Sequence, residues 1–171
     1  MWLVLSTVAW GSVAAQSTDR AYKLGPGDRI RITVFGESDL SMDVTVPDTG
    51  RLTYPFLGEI NVEGMTVSEL ESTIVKGLKG PYLVNPIATV SIVEHRPFFV
   101  HGEVQEPGGI AYQPRLTVER AIALAGGFTW HASRKKIEVI RAGDETETAK
   151  PVKLSDPVFP GDIVIVGHGF F

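Results

Sequence analysis

Alternating apolar and polar residues predict the first strand of the chain. Residues 22–35 read YKLGPGDRIRITVF, and every second position from Ile30 onward is apolar. This alternation is typical of a strand with one buried face. Asp28 at the preceding Pro-Gly corner is expected to accept backbone N–H bonds, and Arg29 and Arg31 are expected on the solvated face. A Pro-Asp-Thr-Gly run at 47–50 then predicts a hairpin into residues 51–58.

A period of about 3.6 residues follows Thr66 and predicts a helix. Its apolar face consists of Val67, Leu70, Ile74 and Leu78. Thr66-Val-Ser-Glu69 is a capping box, in which the hydroxyl and the carboxylate each accept a backbone N–H bond at the helix start. The helix is expected to end near Gly80, which precedes a proline.

A second helical period follows Thr117, with the apolar face Val118, Ala121, Ile122 and Ala125. Thr117 is expected to cap this helix through its hydroxyl. The pair Gly126-Gly127 is expected to end it, because glycine tolerates the left-handed conformation that closes many helices.

Shorter apolar runs predict further strands, at residues 60–62, 88–93, 98–104, 110–112 and 137–140. Phe98 and Val100 are expected on one face of their strand and Phe99 on the other. Glu106-Pro-Gly-Gly109 is the expected turn into the return strand. The last run, at 159–166, repeats the Pro-Gly-Asp turn and is apolar on both faces, which predicts a central strand.

Residues 1–16, MWLVLSTVAWGSVAAQ, form a long apolar run that is too short to span a bilayer well. Small residues before Gln16 match the cleavage rule of secretory signals, so a signal peptide over 1–15 is predicted. No Lys or Arg precedes Arg20, so a basic n-region is missing. The alternative is a buried or anchoring N-terminal helix.

Composition excludes several classes of function. A net charge of −4 without a basic run argues against a nucleic-acid partner. The absence of cysteine removes disulfides, thiol catalysis and Cys-based metal sites, and also the lipobox cysteine of a bacterial lipoprotein. The chain is therefore expected not to be lipidated. At 171 residues with 43% hydrophobic content, it can form one domain or two small ones.

Catalytic signals are weak. The four histidines lack metal-binding spacing, no G-x-S-x-G elbow is present, and the glycine pairs do not match a nucleotide-binding loop. Glu103 and Glu106 could in principle act as a carboxylate pair in glycoside hydrolysis, but such pairs are common in acidic proteins. We therefore predict no catalytic residue, no cofactor and no metal.

Aromatic and basic side chains near the turns are the candidate contacts. Phe99 shares a short strand with Phe98, and only one of the two can face the core. Trp130 follows the second helix in a loop, and Tyr112 and Arg115 lie before that helix. Phe99, Tyr112, Arg115 and Trp130 are suited either to sugar stacking or to subunit contacts. Ordinary core filling is the alternative for Trp130.

Two sets of motifs resemble known families. The run V-x-G-E-V-x-x-P-G, followed by T-V-x-x-A-I-x-L-A-G-G-F-T, resembles the soluble-ligand-binding β-grasp (SLBB) domain. Upstream, LGPGD-x-I-x-I-x-V-F-G, Y-P-F-L-G, G-x-T-V-S-E-L and Y-L-x-N-P resemble the polysaccharide export domain. The resemblance covers about residues 20–171 in the order of the outer-membrane polysaccharide export family. It implies an α+β fold, with an export domain at 20–94 and an SLBB domain at 96–171.

The resemblance also implies a function. Family members form a periplasmic ring, associated with the outer membrane, that passes finished capsular or exopolysaccharide outward without making or breaking a bond. Expected partners are the polysaccharide, further copies of this chain, an outer-membrane barrel protein and an inner-membrane chain-length or tyrosine-kinase-type co-polymerase. Long members add further SLBB domains and a C-terminal membrane helix. This sequence ends at Phe171 without them, so we expect a separate outer-membrane pore. The alternatives are a free-standing carbohydrate-binding module and a polysaccharide-modifying enzyme.

Overall fold

The computed structural model describes residues 22–144 and 146–169. The predicted signal peptide at 1–15 lies outside the described residues, as does Phe170-Phe171. Buried side chains form two separate hydrophobic cores, one built from residues 24–90 and one from residues 98–166. We call the parts around these cores the first unit and the second unit. Among the described residues, no helix has the length and apolar composition that a membrane crossing requires.

The first unit contains β1 (Arg29–Val34), β2 (Glu37–Thr45), β3 (Arg51–Tyr54), β4 (Gly58–Asn61), α1 (Val67–Leu78) and β5 (Ala88–Glu94). An antiparallel sheet has the order β2-β1-β5, and β3 and β4 form a separate hairpin. The predicted alternation in β1 is confirmed, because Ile30, Ile32 and Val34 are buried while Arg29 and Arg31 are exposed. The first core therefore lies between this sheet, the hairpin and α1.

Helix α1 begins as the capping box predicts. Thr66 Oγ1 accepts the Glu69 backbone N–H at 3.2 Å, and the Glu69 carboxylate accepts the Thr66 N–H at 2.8 Å. Leu70, Ile74 and Leu78 are fully buried. Lys79 is the C-cap, so the helix ends next to the expected Gly80.

The second unit contains β6 (Phe98–Gly102), β7 (Gly108–Ile110), α2 (Val118–Leu124), β8 (Ala132–Ile140), β9 (Lys150–Pro151) and β10 (Ile163–His168). Its sheet has the order β7-β6-β10-β8-β9. Strand β10 is parallel to β6 and antiparallel to β8, so the sheet is mixed. The predicted central position of this strand and the predicted α+β class are both confirmed. Helix α2 packs its buried face, which includes Val118, Ala121 and Ile122, against this sheet.

Three strand predictions in the second unit are corrected. The return strand is Gly108–Ile110 and not 110–112, because Gly109 pairs directly with Phe99 and the turn lies before Gly108. Strand β6 ends at Gly102, whose φ of +86° breaks the extended conformation. Strand β8 begins at Ala132 and not at residue 137, because its polar first half still pairs with β10.

Candidate functional site

The four predicted contact residues lie in separate places. Phe99 is 40% exposed, and its ring lies parallel to that of His101 at 6.5 Å. Tyr112 is half-buried where the two units meet. Arg115 is exposed in the loop before α2 and has a φ of +60°. Trp130 is 78% exposed in the loop after α2. The structure therefore does not bring these four residues together.

Trp130 is the first member of a row of rings at one end of the second unit. Its ring centroid is 3.3 Å from that of His131, and the His131 ring is 5.3 Å from the His168 ring. His168 Nδ1 lies 3.2 Å from Glu103 Oε1. We call Trp130, His131, His168 and Glu103 the aromatic row. The row joins the end of β6, the loop after α2 and the end of β10.

Glu103 is the charged end of the aromatic row. The hydroxyl of Thr129 donates to its Oε2 at 2.5 Å, and His168 contacts its Oε1. The hydrogen bond from Thr129, followed by the contact with His168, lowers the pKa of this carboxyl group. Glu103 is therefore held ionised, which suits a carboxylate that accepts hydrogen bonds from hydroxyl groups. Glu106 is exposed.

The sequence interpretation missed His131 and His168, which it placed among ordinary surface histidines. One signal could have indicated them. Strand β10 was expected to be central, and a central strand brings its end close to the ends of its neighbours. His168 at the end of β10 could thus have been predicted to lie near either Glu103 or the residues that begin β8.

A second polar cluster joins the two units. Asp28 is fully buried and accepts hydrogen bonds from the Tyr22 hydroxyl at 2.6 Å, from Gly25 N at 2.8 Å and from Arg96 N at 2.8 Å. The Arg96 guanidinium also pairs with Asp28 at 3.2 Å, and its Nε donates to the Pro160 carbonyl at 3.2 Å. Arg96 therefore links the first turn of one unit to the last turn of the other. The predicted acceptor role of Asp28 is confirmed.

His95 lies beside this cluster. Its ring meets the edges of Tyr22 at 4.7 Å and of Tyr112 at 5.3 Å. Its Nδ1 is buried and has no hydrogen-bond partner. Burial lowers the pKa of His95, since protonation would add a buried N–H donor without an acceptor. Burial, and then the hydrogen bond to Asp28, raises the pKa of Tyr22. These contacts give Tyr112 a packing role between the units.

Exposed apolar residues also lie in the loops of the first unit. Phe56 stacks on Tyr82 at 4.8 Å, and Phe35 N donates to the carbonyl of Ile87 at 2.9 Å. Val84 lies between Tyr82 and Ile87 in the sequence, and its side chain is 92% exposed. We call Phe35, Phe56, Tyr82, Val84 and Ile87 the apolar patch. Exposed apolar side chains that lie in neighbouring loops are candidates for a contact with another protein surface.

Within 22–144 and 146–169, no group of three or more His, Asp or Glu side chains could hold a metal ion. A shallow groove of about 590 Å³ is lined by Glu119 of α2, by Arg134 and Lys135 of β8 and by residues 152–155. It contains none of the four predicted contact residues.

Comparison with known proteins identifies the class. Residues 16–93 match the family model of polysaccharide biosynthesis/export proteins, and residues 97–149 match the SLBB domain. The first unit thus corresponds to an export domain and the second to an SLBB domain. The chain belongs to the outer-membrane polysaccharide export family, as the sequence resemblance predicts.

Individual relatives are consistent with this family. The exopolysaccharide production protein ExoF of Rhizobium meliloti is 34% identical over 140 residues, which cover 74% of this chain and 32% of ExoF. The EPS I polysaccharide export outer membrane protein EpsA of Ralstonia nicotianae is 25% identical over 168 residues, 96% of this chain and 43% of EpsA. The polysialic acid transport protein KpsD of Escherichia coli is 28% identical over 89 residues, 51% of this chain and 16% of KpsD. The chain thus spans less than half the length of these relatives.

Proposed function

We propose that this protein is a periplasmic component of a capsular or exopolysaccharide export machine. The observation that carries the proposal is the match of both units, in order, to an export domain and an SLBB domain. The names of ExoF, EpsA and KpsD, which refer to polysaccharide production, export or transport, support the same function. In this role the protein guides a finished polymer and carries out no reaction.

We further propose that the protein acts as a ring of identical copies. A closed ring needs two different surfaces on each subunit, because each copy contacts its two neighbours through unlike faces. The apolar patch of the first unit supplies one candidate surface. The outer face of the second sheet, where Phe99 and Ile163 are paired neighbours, supplies a different one. This pairing of unlike surfaces is consistent with a ring.

The proposed partners follow from the family. The polysaccharide passes from an inner-membrane chain-length or tyrosine-kinase-type co-polymerase, through the ring, toward an outer-membrane barrel protein. The predicted signal peptide at 1–15 would deliver the chain to the periplasm. There the ring associates with the outer membrane, because one of its partners is the barrel protein in that membrane.

Deletion of the gene tests the export role. Polysaccharide is measured outside the cell, in the periplasm and in the cell-associated fraction of the deletion strain. We expect loss of the external polymer while internal polymer remains, and recovery on expression of the protein with a functional secretion signal. Unchanged secretion, in a strain without a second family member, contradicts the export role and favours a free-standing carbohydrate-binding module.

A further inference from the structure

We propose that the aromatic row is a binding subsite for uncharged sugar units of the polysaccharide. This inference rests on the proposed export function and names a place where the polymer touches the protein. It assigns Trp130 to sugar stacking and leaves subunit contact to other surfaces. It also gives His131, His168 and Glu103 roles that the sequence interpretation did not foresee.

The side chain of Trp130 is unusually exposed. Trp130 is 78% exposed although tryptophan is the largest apolar side chain and usually becomes mostly buried. Its indole carries a large apolar surface together with one N–H donor, which suits a partner with both C–H faces and hydroxyl groups. The C–H face of a pyranose ring with its equatorial hydroxyls is such a partner.

Backbone hydrogen bonds hold Trp130 in place. The loop that carries Trp130 is tied to the ends of two strands by backbone hydrogen bonds. Thr129 N donates to the Glu103 carbonyl at 3.1 Å, and Gly169 N donates to the His131 carbonyl at 2.8 Å. Ala132 N closes the loop on the Thr129 carbonyl at 3.2 Å. Since the loop is already ordered, a ligand that stacks on Trp130 does not have to offset the entropy of ordering it.

The aromatic row combines an apolar surface with a charged hydrogen-bond acceptor. Its rings follow one another at 3.3 Å and 5.3 Å and end at a carboxylate 3.2 Å from His168. An extended sugar chain presents apolar ring faces in succession, with hydroxyl donors along its edges. Because the His131 ring stacks between Trp130 and His168, the exposed indole of Trp130 is the ring that offers a face to a sugar unit. The ionised Glu103 suits the hydroxyl groups along the chain, as charge-assisted hydrogen bonds are the stronger ones. The same negative charge opposes a carboxylated sugar at that position.

Tryptophan fluorescence can be made specific for Trp130, because the chain contains few tryptophans. Trp130 is one of three, and the other two are Trp2 and Trp10. In a full-length Trp2→Phe, Trp10→Phe background, all tryptophan fluorescence reports on the aromatic row. The protein is titrated with cellohexaose, maltohexaose and laminarihexaose as neutral probes and with hexagalacturonate as the acidic probe. We expect a saturable fluorescence change with at least one neutral hexasaccharide and a weaker response to hexagalacturonate.

Variants then identify the contact residues by isothermal titration calorimetry. Trp130→Ala is expected to raise the Kd for the bound hexasaccharide about tenfold or more. Glu103→Gln keeps the shape of the side chain and is expected to raise the Kd about fivefold, through loss of a charged acceptor. Val93→Ala is the control, because Val93 is 40% exposed on the first unit and lies outside both the aromatic row and the apolar patch. Its Kd should equal that of the parent protein, and circular dichroism of each variant verifies folding.

Several outcomes overturn the inference. It is wrong if no neutral probe binds, if hexagalacturonate binds at least as tightly, or if Trp130→Ala leaves the Kd unchanged. It is also wrong if Trp130→Ala changes the oligomeric state in sedimentation while sugar affinity stays constant, since Trp130 is then a subunit contact. If gene deletion abolishes secretion but the purified protein binds no sugar, the subsite is rejected and the export function stands. If the protein binds sugar but the deletion strain secretes polymer normally, the export function is rejected and the subsite stands.

Discussion

At the scale of single residues, two buried aspartates make equivalent contacts in the two units. Asp162 accepts hydrogen bonds from Phe159 N at 2.8 Å and from Ala142 N at 3.0 Å, and it pairs with Arg141 at 2.6 Å. Asp28 likewise binds the backbone N–H three residues before it, a distant backbone N–H and an arginine. The repeated Pro-Gly-Asp sequence is therefore a repeated structural element, in which a buried carboxylate organises the turn before a buried strand.

Replacement of Asp28 tests this role. Asp28→Asn removes the charge that balances Arg96 and weakens several hydrogen bonds in a buried place. We expect the free energy of unfolding to fall by about 2–4 kcal/mol, because hydrogen bonds to buried charged groups are costly to lose. Urea denaturation measures the change. Asp39→Asn at an exposed position should stay within about 0.5 kcal/mol of the parent protein, and an equally small effect of Asp28→Asn contradicts the interpretation.

At the scale of elements, the close approach of β6 and β10 depends on a glycine. Gly102 has a φ of +86°, and a Cβ atom there would clash with the carbonyl oxygen of Val166. The next residue, Glu103, donates its N–H to that same carbonyl at 2.9 Å. A side chain at position 102 would thus disturb both the strand pairing and the placement of Glu103 in the aromatic row.

A side chain at position 102 would have two costs, the left-handed backbone conformation and the clash with Val166, and a control variant separates them. Gly102→Ala should lower the free energy of unfolding by about 3 kcal/mol, through a left-handed alanine and a backbone clash. Gly58→Ala is the matched control, since Gly58 has a φ of +69° and open space around the new Cβ. It should cost only about 1 kcal/mol. Equal values in thermal or urea unfolding would falsify the claim that close strand approach requires Gly102.

At the scale of the whole molecule, the junction of the two units makes stability depend on pH. Burial lowers the pKa of His95 in the folded protein, while the unfolded chain keeps an ordinary value of about 6.5. As pH falls through about 6.5, the unfolded state takes up a proton before the folded state does. Stability is therefore expected to decrease from pH 7.5 toward pH 5.5.

His95→Phe keeps a ring against Tyr22 and Tyr112 but does not titrate. We expect its urea midpoint to fall less between pH 7.5 and pH 5.5 than that of the parent protein. Carboxyl groups are common to both proteins, so their contribution cancels in the comparison. Identical pH dependence in the two proteins would show that His95 is not the group responsible.

The proposed ring yields a prediction for the apolar patch. Val84 is 92% exposed, so a charge there should leave the fold intact. Val84→Asp is expected to convert the oligomer into smaller species, because a buried charge at an apolar interface is unfavourable. Mass photometry measures the change. Ser155→Asp introduces the same charge on an exposed residue of the second unit and should preserve the oligomer. If Val84→Asp also leaves the oligomer unchanged, the apolar patch is not part of the interface between copies.

The sequence by itself determined the local features of this protein. Alternation in β1, the capping box at Thr66, the stop at Gly126-Gly127 and the Pro-Gly-Asp turns all depend on residues within a few positions of one another. Side-chain period, caps and turn residues express such short-range physics directly. The family followed from the same local motifs, and so did the α+β class and the central place of β10.

Only the tertiary structure decided which residues meet. Glu103 and His168 are separated by 65 positions, and Asp28 and Arg96 by 68. The loop position of Trp130 was predicted, and the central place of β10 limited His168 to two sets of neighbours, but the meeting of all four residues in one row was not predictable. Strand order brings these residues together, and strand order depends on the packing of all elements around a common core. Hydrophobic period along the chain carries no such information, and for this reason the aromatic row and the junction at Asp28 emerged only from the fold.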